Sequence, residues 1–153
     1  MTKRIVQFHK DVIISSGGSR ELIKCVVKHT DNLRSQVAKN SCMTLQVIYS
    51  ELPTKDLDSC IDVVLSSLLK KSTDTNHFVS EQAEKALVMV CHACNESKLF
   101  ASLQAQPGKS ALLKQKICVC YGNLISKLGP RIGSFRECVS LVRACVLMLS
   151  EGA

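Results

Sequence analysis

The chain has 153 residues, of which 46% are hydrophobic, so it is long and apolar enough to form one packed domain, and its composition excludes a disordered chain. It contains no Trp, three Pro and seven Gly, which favours long helices over a many-stranded sheet, so we predict an all-α protein. Twenty basic residues against thirteen acidic ones give a net charge of +7, which favours an acidic partner.

Membrane insertion and secretion are both disfavoured by the distribution of charge. No uninterrupted apolar run approaches the roughly 20 residues that span a bilayer. The first residues carry Lys3, Arg4, Lys10 and Asp11, where a signal peptide would be apolar. We therefore expect a cytoplasmic protein, associated with no membrane.

The nine cysteines are odd in number and occupy apolar helical positions, which is unlike a disulfide scaffold. Reduced Cys behaves as a small apolar residue in protein interiors. We expect the thiols to fill gaps between packed helices at Cys42, Cys60, Cys118, Cys138 and Cys145.

In chain order, the first predicted helix covers about Lys3 to Ile14 and ends at the Gly17-Gly18 break. Helices of two kinds, outer and inner, then alternate along the chain. Turn residues mark further breaks at Pro53, at Pro107-Gly108 and at Gly129-Pro130. The outer helices are predicted to begin near Ser19, Thr54, Glu96 and Ser134.

Three inner helices share a ladder of apolar residues with steps of five, four and three, and the ladders lie 45 and 34 residues apart. Steps of three and four place side chains on one helical face, and the first member fits an anchor at the helix entry. The ladders are Leu33, Ala38, Cys42 and Leu45; Phe78, Ala83, Leu87 and Val90; and Leu112, Ile117, Tyr121 and Leu124.

A spacing of roughly 35 to 42 residues between outer helices is typical of HEAT and armadillo repeats. We predict an α-solenoid of stacked HEAT-like helical hairpins with about seven to eight helices, in one domain over residues 1–153 that holds about four repeats. The last helix is apolar around much of its circumference, at Ile132, Val139, Leu141, Val146 and Leu147. This surface predicts either a homodimer contact through the C-terminal helix or a longer array.

The segment from Leu68 to Val79, LLKKSTDTNHFV, followed by Ala83, Ala86 and Leu87, resembles the middle repeats of TOG domains of the CLASP and crescerin classes. These domains carry a leucine-rich outer helix, a Lys-rich loop with Asp and Asn, and an inner helix that opens on Phe. The segment from Asp31 to Lys39 is similar to the preceding repeat, and the register recurs from Lys109 to Leu128.

The resemblance implies a flat stack of repeats whose loops form one thin edge that contacts tubulin. By position, that edge comprises residues 29–34, 70–77 and 106–112. The partner-binding residues implied there are Asn32, Arg34, Lys70, Lys71, Thr73, Asn76, His77 and Lys109. Basic side chains on this edge would attract acidic tubulin, and the polar ones would form hydrogen bonds. Alternatively, Asp31, Asn32, Asp74 and Asn76 cap the inner helices, and the lysines are solvated.

The sequence departs from the family in two ways. It holds about four repeats where the family has six, and it lacks Trp, although many tubulin-binding members place an aromatic residue in their first loop. Two functions therefore stay open: a microtubule-binding domain that regulates microtubule assembly or stability, in the cytoskeleton or a cilium, and a HEAT scaffold that binds another protein.

Motifs that suggest chemistry lack the residues that would complete them. Cys91-His92-Ala93-Cys94 has no second ligand pair for zinc, and Pro107 to Ser110 lacks the earlier Gly of a phosphate-binding loop. Basic residues are dispersed without aromatic stacking partners, which disfavours nucleic acid. We predict no enzymatic activity and no cofactor.

Overall fold

The computed structural model describes residues 2–107 and 110–150, without the side chain of Leu149. These residues form nine α-helices and no strand. The helices are α1 (Thr2–Ser15), α2 (Ser19–Thr30), α3 (Ser35–Glu51), α4 (Thr54–Asp58), α5 (Ile61–Ser72), α6 (His77–Ala93), α7 (Glu96–Gln104), α8 (Ala111–Leu128) and α9 (Cys138–Ser150). A 3-10 helix, Gly129–Ser134, joins α8 to α9.

The helices form two layers, which confirms the predicted all-α solenoid. The inner layer contains α1, α3, α6 and α8, and neighbours in this order pack side by side. The outer layer contains α2, α5 and α7, and each of these helices also packs on an inner one, α2 on α3, α5 on α6 and α7 on α8. α9 packs on α8 and the 3-10 helix.

The predicted starts at Ser19, Thr54 and Glu96 are confirmed, because α2, α4 and α7 begin there. The outer helix that was expected from Thr54 is divided into α4 and α5. The start near Ser134 is wrong. Gly129 has a φ of +51°, which ends α8, and Pro130 then opens a 3-10 helix that delays α9 to Cys138.

The core lies between the layers and is formed mostly by aliphatic side chains of α2, α3, α5, α6, α7 and α8. Phe100 of α7 packs against Tyr121 of α8 and Phe135, with ring centroids 6.1 and 6.2 Å apart. Burying these side chains stabilises the fold by about 1.5–3 kcal/mol each relative to exposure. Each hairpin therefore depends on its neighbours for stability.

The apolar ladders identified the right helices but placed the first two in the wrong register. The helix ends match Leu45 with Leu87 and Ile48 with Val90, whereas the ladders match Cys42 with Leu87. The predicted anchors are also wrong. Leu33, Phe78 and Leu112 are exposed at the points where the inner helices begin.

All nine cysteines are free thiols. Cys42 and Cys60 are buried as predicted, while Cys118, Cys138 and Cys145 are only partly buried. Within the described ranges, no helix has the length and apolarity needed to cross a bilayer.

Candidate functional site

The inner helices all begin on one side of the molecule, which we call the loop edge: residues 31–34, 70–78, 105–107 and 110–112. α3 and α6 run in the same direction, since Lys39 lies near Phe78 and Gln46 bonds to Gln82 further along. α6 and α8 do likewise, since Lys116 contacts Glu84 and Cys91 contacts Cys120. The loops between outer and inner helices therefore lie side by side.

The first loop presents Arg34 to solvent. The Oδ1 atom of Asn32 accepts a hydrogen bond of 2.9 Å from the backbone N–H of Arg34, which holds the loop in a turn. Arg34 forms no ion pair with any residue in the described ranges, and its neighbour Leu33 is fully exposed. A cation and an apolar side chain are thus available together to a partner.

The second loop repeats this turn with a different residue pair. Asp74 accepts a hydrogen bond of 2.9 Å from the backbone N–H of Asn76, and Asn76 accepts one of 3.1 Å from Phe78. The bond from Asn76, together with Lys71, lowers the pKa of Asp74. Thr73 donates 2.8 Å to the carbonyl of Lys70. The polar side chains of this loop hold its backbone in place.

The capping alternative is correct for one of the four residues considered. Asn76 is the N-cap of α6. Asn32 and Asp74 bind the residue at the N-cap position, outside the helix, and Asp31 forms ion pairs instead. The side-chain amide N–H groups of Asn32 and Asn76 donate to no other residue in the part of the chain that the structure describes, so they are available to a partner.

Four charged residues join the first two loops. Asp31 lies 3.0 Å from Nζ of Lys70 and 3.6 Å from Nζ of Lys71. Lys71 also lies 3.2 Å from Asp74. The side chain of Lys71 is only 14% exposed, whereas that of Lys70 is 68% exposed. The positive charge of this pair of lysines is therefore balanced within the loop edge.

An exposed aromatic pair follows the second loop. Phe78 is 68% exposed, and the ring of His77 stacks on it at 6.4 Å. Nζ of Lys39, on α3, lies 5.5 Å from the centre of the Phe78 ring, within cation–π distance. A groove of about 260 Å³ beside this ring is lined by Ser35, Gln36, Lys39, Asn76, Phe78 and Val79.

Sequence reasoning missed Phe78 and Lys39 as surface residues. The apolar ladder places Phe78 on the buried face of its helix, whereas its position in the first turn of α6 indicates exposure. No local sequence pattern predicts the contact of Lys39 with Phe78, because it arises only from the packing of α3 on α6.

The third loop lies between α7 and α8. The predicted site residue Lys109 lies outside the described residues, as does Gly108. Ser110 caps α8 by accepting a hydrogen bond of 3.2 Å from the backbone N–H of Leu113. Leu112 is 47% exposed at the equivalent position to Phe78, so the apolar surface continues into this loop.

The opposite edge of the molecule uses its charges to join successive hairpins. Asp58 accepts a hydrogen bond of 2.9 Å from the backbone N–H of Asn95 and lies 3.5 Å from Lys98. Glu96 lies 3.3 Å from Arg131, and Lys127 donates to the carbonyl of Cys94. On this edge these groups are engaged within the fold, unlike Arg34 and His77.

The residues of the zinc-like motif are separated by burial. Cys91 and Cys94 are buried, and desolvation, with nearby Asp58, raises the pKa of Cys94 to about 12. His92 is exposed. Within the described ranges, no three His, Cys, Asp or Glu side chains lie close enough together to hold a metal ion.

A family model described as CLASP N terminal matches residues 7–152 of the chain. The chain belongs to the CLASP N-terminal family. The predicted resemblance of the chain to TOG domains is thereby confirmed. The chain is also 27% identical over 99 residues to the mouse protein "TOG array regulator of axonemal microtubules protein 1", which covers 65% of this chain. The chain spans about 5% of that protein's length. No solved structure matches the chain significantly.

Proposed function

We propose that this CLASP N-terminal domain binds tubulin through its loop edge and thereby regulates microtubule assembly or stability. The observation that carries the proposal is a set of exposed side chains where two neighbouring inner helices begin: the stacked pair His77 and Phe78 on α6, and Arg34 at the start of α3. Family membership and the similarity to a protein named for axonemal microtubules support the choice of partner. An alternative is a HEAT scaffold for another acidic protein.

This set of side chains has the composition of a binding surface. Exposed aromatic and Arg side chains supply most of the energy at protein interfaces, while charge speeds the encounter. Asn32 and Asn76 add amide donors, and Lys70, Lys71, Thr73 and Lys109 complete the proposed contact set. Binding would be stoichiometric and would act by favouring one conformation of tubulin.

Replacing Arg34 with Glu tests the edge directly. Because Arg34 has no ion-pair partner among the described residues, its reversal removes an attraction without breaking an internal contact. We expect Arg34→Glu to weaken tubulin binding about tenfold or more at low salt, as a charge reversal at an interface does. Fluorescence titration with tubulin heterodimer measures the change.

Lys55→Glu is the matched control, since Lys55 is an exposed cation on α4, which begins at the opposite edge. It makes the same change in net charge. We expect it to weaken binding less than threefold, through long-range attraction alone. Equal effects of the two substitutions would remove the loop edge from the proposal.

The wider organisation is also proposed. Residues 1–153 would form one TOG-like unit of about four repeats in a longer array, located in the cytoplasm at the cytoskeleton or the axoneme of a cilium. α9 leaves Val139, Val142 and Val146 exposed on one face. We propose that this face forms a homodimer contact, because exposed apolar stripes favour association. The mass of the free domain in solution tests this contact.

A further inference from the structure

We propose that Asp31 competes with the acidic partner for Lys70. By pairing with this lysine, Asp31 limits the affinity of the loop edge for the partner; this inference rests on the proposed function. The carboxylate of Asp31 lies 3.0 and 3.1 Å from Nζ of Lys70 through its two oxygens. It therefore stands where a carboxylate of a bound protein would otherwise contact this lysine.

The two lysines differ in how readily they can exchange partners. Lys71 is only 14% exposed and lies 3.2 Å from Asp74, so it keeps a carboxylate even when Asp31 moves. Lys70 and Asp31 are 68% and 51% exposed. A pair in such contact with water is weak and screened, so its bond can be replaced.

Asp31 weakens the binding of any acidic partner that contacts Lys70. A partner carboxylate must either displace Asp31 or approach it, and two like charges at short range repel. Asp31 thus opposes acidic groups at the part of the loop edge where Lys70 would attract them.

A structural role alone would explain the pair differently, as a link between α2 and α5. That link exists without Asp31, because the hydroxyl groups of Thr30 and Ser67 lie 2.5 Å apart between the same helices. Loss of Asp31 should therefore leave the two helices packed and free Lys70 for binding.

The test compares Asp31→Asn with Glu21→Gln. Glu21 pairs with Lys24 at 3.4 Å on the exposed surface of α2, so its replacement makes the same charge change in the same hairpin. Affinity is measured for tubulin heterodimer and, separately, for a short poly-glutamate peptide. We expect Asp31→Asn to strengthen both interactions about three- to tenfold at low salt, and Glu21→Gln less than twofold.

Repeating the comparison in a Lys70→Gln protein tests whether the gain in affinity depends on Lys70. In the Lys70→Gln protein, Asp31→Asn should raise peptide affinity no more than Glu21→Gln does, since the released lysine is missing. A gain that persists in this background would overturn the inference, as would equal peptide affinities of Asp31→Asn and Glu21→Gln. If Asp31→Asn raises peptide affinity as expected but neither the unmodified domain nor any variant binds tubulin, the proposed role of Asp31 stands and the proposed function fails.

Discussion

The thiols of this protein range from exposed to completely buried. Cys42 is completely buried, and desolvation raises its pKa to about 11. Cys25 lies on the exposed side of α2. A thiol must be ionised and accessible to react as a nucleophile, so these two residues should differ greatly in reactivity.

Maleimide labelling of the native protein at neutral pH should therefore modify Cys25 first. We expect Cys42, Cys60, Cys91, Cys94 and Cys120 to remain unlabelled until the protein is unfolded, because all five are buried. Mass spectrometry of digested protein locates the label. Cys25→Ser should remove the fast reaction, and rapid labelling of Cys42 in the folded chain would contradict the described core.

At the scale of single residues, the sequence predicted the short-range contacts of the site better than the long-range ones. The cap at Asn76 follows from local backbone chemistry, since a short polar side chain before an apolar helix binds its first N–H groups. The pairing of Lys70 with Asp31 joins residues 39 positions apart. It arises from the packing of α2 on α5, which no local pattern specifies.

At the scale of helices, the ends were predictable wherever a turn residue determines the backbone. Pro53 precedes α4, and Gly129 ends α8 with a positive φ that other residues rarely adopt. The start of α9 was missed because a proline also opens 3-10 helices. The ladder register was missed because steps of three and four recur at several offsets along one amphipathic helix.

Two glycines of this region should respond to Ala in opposite directions. Gly129 has a φ of +51°, which side chains with a Cβ rarely adopt, and open space around it. Gly129→Ala should therefore lower the free energy of unfolding by about 1–2 kcal/mol through backbone strain, without a steric clash. Gly122 lies inside α8, also in open space, and Gly122→Ala should raise it by about 0.5–1 kcal/mol. Urea denaturation measures both.

The pair serves as its own control, since the two substitutions add the same methyl group seven positions apart. A stabilising Gly129→Ala would show that α8 continues beyond Leu128 in solution. A destabilising Gly122→Ala would show that a neighbour covers this face of the helix.

At the scale of the whole molecule, the two edges differ in how many of their polar and aromatic side chains are engaged within the fold. The edge with Asp58, Glu96 and Arg131 uses its charges to join hairpins. The loop edge joins its first two loops through Lys70 and Lys71 and leaves Arg34, His77 and Phe78 exposed. The repeats explain this difference, because equivalent loops are stacked on the same side in every hairpin.

Sedimentation velocity of the unmodified domain with tubulin heterodimer tests the central proposal most directly. A parallel run without tubulin reports the mass of the domain alone, and thus tests whether α9 forms the proposed homodimer contact. We predict a faster-sedimenting complex at low salt that dissociates as salt is raised, because charge contributes to the contact. Separate sedimentation of domain and tubulin at low salt, at concentrations of tens of micromolar, would contradict the account.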